Sequence, residues 1–429
     1  MKQVLSVAVL LAGIGAAGYF ALHVEAEPQR PAAPSTGGVM IPQFQYDKTW
    51  PKQPLPAQWK LGQVVGVHVD TRDNIWIIQR PGTLKNSEKE ATDLASYGAG
   101  ASTASTPGQN SGLGDGNNTG GAGQGPLASC CKPAPPVIVF DQQGTAFASW
   151  GGPGRGFDWP TLGPKSPDPA MGTGPFGEHG IFSDHNDNVW VGADGPGDGQ
   201  ILKFTRWGKI RLQIGHTGGV SKGSNDTENL GGAQQIAIDP ETNDVFVADG
   251  LKHHRVIVFD GITGKYKRHW GAYGKRPDDS AVPAKYDPAV RSPQFGEVRG
   301  IALSRDGLVY VCDRTNNRIQ VFRRDGTFVK EGLVSPKTLG GAVYEVAFSP
   351  DPAQTYAYVV DGMNEKVWIL LRDSLETIGS FGYGGNGGGA FRAAHSIATD
   401  SKGNLYVGET WESKRVQRFL YKGLAPAKR

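Results

Sequence analysis

One unit of four short extended runs recurs along this chain, and it limits the fold more than any other feature. Glu297–Gly326 shows it best, as EVRGIALSRDGLVYVCDRTNNRIQVFRRDG. Val298–Leu303 is apolar, Leu308–Val311 and Arg318–Phe322 alternate, and Thr327–Lys330 follows as a fourth run. Turns at Arg305–Gly307, Asp313–Asn317 and Arg324–Gly326 separate them. The side-chain period is two, so the unit reads as strands joined by tight turns, with no helical stripe. Gly 62 and Pro 29 in a chain of 429 residues suit many such turns.

Five other copies flank this one. The first runs from VVGVHVD and IWIIQ, at Gln63–Gln79, and resumes at PVIVFD after an interruption. The second spans His179–Gly215, the third ends at Gly271, the fifth near Gly382 and the sixth at Leu420. Second-strand aromatics at Trp190, Phe246, Tyr310, Tyr358 and Tyr406 mark a period of about 50–60 residues. Six such units arranged radially bury one another's faces, which predicts an all-β six-bladed β-propeller. The sixth copy has three strands before the chain ends. Met40–Asp47 (MIPQFQYD) is therefore expected to supply its outer strand and close the ring.

Outside the repeats the sequence reads as follows. Lys2 and the apolar run Val4–Leu22 form a targeting segment over residues 1–26, either a cleaved signal peptide or an uncleaved anchor. Either way the body of the chain is expected outside the cytoplasm, in the periplasm or beyond, touching membrane only if the anchor stays. Residues 27–39 are a linker, the propeller is expected over 40–421, and 422–429 form a tail. Residues 85–128, rich in Ser, Thr, Ala, Asn and Gly, lack the apolar residues needed to order themselves. A formal charge of +3 with no basic stripe gives nucleic-acid binding little support. Cys130-Cys131 could be two thiols or a redox clip. Cys312, within a strand, reads as a small buried apolar residue.

Chemistry is expected where the first strands line the channel. The residue two before the first core Ile or Val is Val65, His179, Gln234, Arg299, Tyr344 and His395 in successive copies. His179, Arg299 and His395 come from alternate blades. Two imidazoles so placed could hold a metal such as zinc. A second ring, at the ends of the second strands, adds Arg80 and Arg314 at the mouth that Arg299 faces. Three guanidiniums and two imidazoles favour an anion, such as a carboxylate. Pairing of those arginines with Asp249, Asp313, Asp361 or Glu409 is the plain alternative. His253 and His254 read as an exposed turn, while His68, His185, His216 and His269 read as structural.

The unit GN-(Y/W)-V-x-D followed by N-x-RV-x-x-F-D-x-x-G resembles the NHL repeat, best in Asp249–Asp260, Asp313–Gly326 and Gly403–Phe419. Within that class the channel pattern resembles the lyase half of the peptidylglycine α-amidating enzymes. These are zinc-dependent propellers that split a C-terminal α-hydroxyglycine into an amide and glyoxylate. The resemblance implies zinc ligands at His179 (EHGI) and His395 (AAHSI), and functional arginines at Arg80 (IIQRPG) and Arg314 (CDRTNNR). The family's third His falls at Arg299, its catalytic Tyr at Leu251, and a Met at Ala393. Two functions follow as expectations. One is a pocket, lined by Arg299, Tyr344 and Gln234, for an anionic small molecule or peptide carboxyl end, with lyase-like metal chemistry if it is catalytic. The other is a non-catalytic scaffold for an envelope protein partner.

Overall fold

The computed structural model describes residues 38–84, 131–160, 177–195, 197–218 and 221–427. The expected targeting segment, most of the linker, the insertion 85–128 and Cys130 lie outside them. Six four-stranded antiparallel sheets form the blades of a propeller. Blade four, for example, is Val298–Leu303, Leu308–Asp313, Arg318–Arg323 and Phe328–Leu333, paired in that order. Among the described residues no helix is long and apolar enough to cross a membrane.

The repeat folds this way because its turn chemistry is local. In blade one the Asp70 carboxylate accepts the backbone N–H groups of Arg72 and Asn74, each at 2.9 Å, and the Trp76 indole N–H at 3.0 Å. Asp184 and Trp190 repeat the arrangement in blade two. This carboxylate-capped turn sets the hairpin and explains the Asp, the Asn and the aromatic of the repeat together. The turn needs one residue at positive φ, which Gly307 and Gly403 supply and Asp73 and Asp187 tolerate.

The ring closes as expected. Met40–Tyr46 pairs antiparallel with Arg415–Pro426 and completes blade six. Phe44 packs edge-on against Tyr358 at 5.4 Å, and Asp47 receives the Arg418 guanidinium. The third strand of blade six runs on to Pro426, past the boundary expected at 421, because its partner strand continues beside it. Blades six and one share a core in which Ala398, Tyr406 and Val416 meet Val64, Val67, Ile75 and Ile77. A short parallel pair, Trp59–Lys60 with Lys132–Pro133, was not expected from the repeat. Cys312 is fully buried and free, and Cys131 is disulfide-bonded.

Candidate functional site

Each channel residue sits on a defect in its inner strand. In blade four Val298 pairs with Asp313 and Gly300 with Cys312, which leaves Arg299 as the extra residue of a β-bulge. The same shift isolates Val65, Gln234 and His395, and a related one frees His179. In blade five the ladder begins one residue after Tyr344, whose N–H bonds Val360 O at 3.1 Å. A bulge turns a side chain out of the pleat. Repeated around the ring, it aims one residue per blade into the channel at one depth. Small neighbours allow this: a Cβ on Gly300 would meet Tyr344 O at 2.7 Å, and one on Gly180 would meet Gln234 O at 2.7 Å.

The structure brings His179, His395 and Arg299 together. The two imidazole rings lie 4.9 Å apart, and both are buried. His179 Nδ1 is 2.5 Å from Gln234 O, and His395 Nδ1 is 2.9 Å from Val65 O. A carbonyl only accepts, so both rings carry their proton on Nδ1 and turn a lone pair on Nε2 inward. Arg299 Nη2 meets those lone pairs, at 3.4 Å from His179 and in closer contact with His395. Both imidazoles are held neutral, well below the usual histidine range. Burial is the main cause, and the Arg299 guanidinium adds to it.

This geometry bears directly on zinc. The inward Nε2 pair is what a metal would use, but a fixed guanidinium already fills the space between them. The residues present do not fit a zinc ion: two ligands and an adjacent permanent positive charge oppose it. Among the described residues no group of three His, Cys, Asp or Glu is arranged to hold a metal.

The arginines are placed by two carboxylates, Glu297 and Asp194, and by the backbone carbonyl of Glu178. Arg299 donates to Glu297 Oε1 at 2.6 Å, and Arg314 to Glu297 Oε2 at 2.5 Å. Both guanidiniums lie over the Tyr344 ring, at 4.9 and 4.7 Å from its centroid. Burial would raise Glu297, but Arg314 and Arg299 outweigh it and hold its carboxyl at about 2. Arg80 is buried at the same mouth, donating to Glu178 O at 2.7 Å and to Asp194 Oδ1 at 2.6 Å. Glu178 takes the Trp159 indole N–H at 2.9 Å, and burial pushes its carboxyl up to about 7. Two signals for these acceptors were present. Glu297 stands two residues before Arg299, just ahead of its strand, and Glu178 directly precedes His179.

Gln234, Arg299, Arg314 and Tyr344 form one cluster, with Gln234 Oε1 accepting Arg299 Nη1 at 3.3 Å. Gln234 Nε2, Arg299 Nε and Arg314 Nε are buried atoms without an acceptor among the described residues. The pairing expected from the second ring falls elsewhere. Asp249, Asp313 and Glu409 bind Arg255, Arg318 and Arg415 of their own blades, and Asp361 takes the Trp368 indole. Leu251 packs over Gly232, and Ala393 lies at φ 53° beside His395. His253 is not in an exposed turn: it is fully buried, because Asp249 holds its Nδ1 at 2.8 Å. His68 stacks on Phe182 at 4.3 Å.

The NHL repeat family matches residues 295–322. The chain is similar to peptidyl-glycine α-amidating monooxygenase B of Xenopus laevis, at 26% identity over 241 residues. That match takes in 54% of this chain and 25% of the frog protein. It is 27% identical to the rat peptidylglycine α-amidating monooxygenase over 245 residues, 54% of this chain and 22% of that one. The chain thus spans about a quarter of the length of the curated relatives it matches. Among solved structures, a Staphylococcus aureus virginiamycin B lyase with quinupristin aligns at TM-score 0.43 and 13% identity, covering 89% of this chain and 88% of that one. A streptogramin B lyase aligns at TM-score 0.46 and 11% identity, covering 89% of this chain and 98% of that one.

Proposed function

We propose that the channel mouth binds a carboxylate, and that Arg299, Arg314 and Gln234 are its receptors. One observation carries this: three buried N–H donors in one cluster lack acceptors among the described residues, and they are donors only. Leaving such groups unpaired costs about 1–3 kcal/mol each, so an incoming carboxylate recovers that energy. Charge agrees. The guanidiniums of Arg80, Arg299 and Arg314 stand against Glu297 and Asp194, while burial pushes the Glu178 carboxyl up to about 7 and so weakens its charge.

The ligand is a peptide carboxyl end rather than a free small anion. Leu339 and Met363 are exposed next to Arg314, which donates to Gly340 O at 3.1 Å. Trp411 is exposed at the end of the corresponding strand in blade six. An apolar residue behind the carboxylate can lie on these side chains. In this reading the imidazoles anchor Arg299 instead of a metal, and the lyase chemistry of the similar enzymes is absent. Leu251 offers no proton where that chemistry expects a tyrosine.

The test is calorimetry with N-acetyl-phenylalanine and its amide. The acid binds and the amide does not. Arg299→Gln and Arg314→Gln each weaken the acid about 10- to 100-fold, the worth of one charge-assisted bond. Equal binding of acid and amide would overturn the reading. So would stoichiometric zinc by ICP-MS in the purified protein that disappears in His179→Ala, since the metal would then have displaced Arg299.

A further inference from the structure

A second cluster of reactive side chains lies in blade three, built on Asp249, His253 and Ser221 and not on the arginines of the proposed carboxylate site. Asp249 ends the strand Asp244–Asp249, and His253 follows four residues later, before Arg255–Asp260. Asp249 Oδ2 is 2.8 Å from His253 Nδ1. His253 Nε2 in turn meets Ser221 Oγ, in the loop between blades two and three. Because the carboxylate only accepts, Nδ1 carries the proton and Nε2 turns its lone pair to the serine hydroxyl. We propose that Ser221, His253 and Asp249 form an acyl-transfer centre that hydrolyses carboxylic esters.

The roles follow from the surroundings. Asp249 and His253 are fully buried, and Ser221 is half-buried, so the nucleophile alone of the three reaches solvent. Asp249 stays ionised: burial alone would raise it, but Arg255 Nε at 2.8 Å and His253 hold it down, and the Gly231 N–H also donates, at 2.7 Å. An ionised carboxylate fixes the tautomer and stabilises the imidazolium formed during reaction. Gly231 gives the ring its place, since a Cβ there would come within 2.4 Å of His253 Cγ. The serine is held too. Gly223 N–H donates to Ser221 Oγ at 3.1 Å, Lys222 N–H donates to Asp226 at 3.1 Å, and Arg255 clamps Ser224 O at 3.0 Å. Such a trio is recognised by geometry and not by its order along the chain.

The chemistry balances with water as co-reactant. Ser221 Oγ forms a bond to the acyl carbon as its proton passes to His253 Nε2. The C–O bond to the leaving alcohol breaks, and the alcohol takes that proton. Water then repeats the sequence, giving the free acid and restoring the serine.

A fluorophosphonate probe on the full chain tests this, with the adduct located by tandem mass spectrometry. A single adduct on Ser221 is expected, absent in Ser221→Ala and in urea-unfolded protein. His253→Gln is expected to slow it about 100-fold, the usual worth of a general base. Ser221→Cys guards against misfolding of the buried variant. A thiol beside His253 is expected to react with iodoacetamide at pH 6 at least about tenfold faster than free cysteine, because the imidazole lowers its pKa. No adduct on Ser221, or labelling unchanged in folded His253→Gln, or a thiol of ordinary reactivity, each overturns the proposal.

Discussion

Two sets of arginines face acids in this propeller, and they differ in what is left over. Arg255, Arg318 and Arg415 each answer an acid at the end of the second strand of their own blade. Arg318 donates from Nε to Asp313, from Nη1 to Tyr273 and Ser292 O, and from Nη2 to Gln294 O. Arg255 and Arg415 are satisfied in the same way, at all three nitrogens. Arg299 and Arg314 share one carboxylate, lie over one tyrosine ring and keep an Nε each without an acceptor among the described residues. The first set is saturated by the protein and holds the blades. The second keeps donors for the ligand proposed above. Blade two shows how the two sets are linked. Its third strand, Gln200–Thr205, offers no arginine, so Asp194 takes Arg80 from blade one.

The largest effect expected from this contrast is on Arg318. Arg318→Met leaves Asp313 buried and uncompensated, at a cost of about 3–5 kcal/mol, read as a lower urea midpoint. If Arg299→Met costs as much stability as Arg318→Met, the two sets are not distinct. Next in size is Glu297→Gln. The carboxyl is held at about 2 against an ordinary 4.5, so its ionised form supports folding above pH 4.5. That support is worth about 3 kcal/mol and is lost as pH falls toward 2. Removing it lowers stability at pH 7, yet it raises carboxylate affinity by freeing two guanidiniums. Opposite shifts in melting temperature and Kd check this; parallel losses sink it. Arg299→His is smaller in stability and sharper in meaning. With three imidazoles around the channel, equilibrium dialysis is expected to find one zinc per chain, and none with the native sequence. A variant that still binds no zinc would place the obstacle in the scaffold and not in the guanidinium.

How much of this the sequence carries depends on the range of the interaction. Strand order, the capped turns and the closing strand Met40–Tyr46 were legible, because period-two patterning and turn residues are local. The ring of Val65, His179, Gln234, Arg299, Tyr344 and His395 was legible too, since equivalent positions in a repeat share a depth. What stayed hidden was pairing across blades. Nothing in the string says that Arg80 reaches Asp194, or that His253 turns inward to Asp249 and Ser221. Those contacts depend on blade-to-blade angles that no periodicity encodes. The bulges were hidden as well, although Gly66 and Gly300, just after Val65 and Arg299, were their trace.

The smallest effect concerns pH and bears on the incomplete set alone. Burial raises Glu178 and Glu345 to about 7, against the hydrogen bonds of Trp159 in one case and of Ser396 and Gln235 in the other. Glu178 adjoins Arg80, and the field of Arg299 reaches Glu345. As pH falls below 7 both carboxyls take up protons and no longer offset the guanidiniums, which then face only Glu297 and Asp194. As pH rises through 7 each gains a negative charge, so carboxylate affinity falls, by about tenfold between pH 6 and 8 if the two together shift binding by 1.4 kcal/mol. Stability moves the same way. An acid whose folded pKa is raised binds its proton more tightly when folded, so stability drops as pH climbs from 4.5 through 7. Glu178→Gln separates the two groups. It should remove part of the affinity slope and leave the remainder to Glu345. Calorimetry at pH 6, 7 and 8 that gave the same Kd throughout would show that neither carboxyl is felt at the mouth, and that Glu297 and Asp194 alone set its charge.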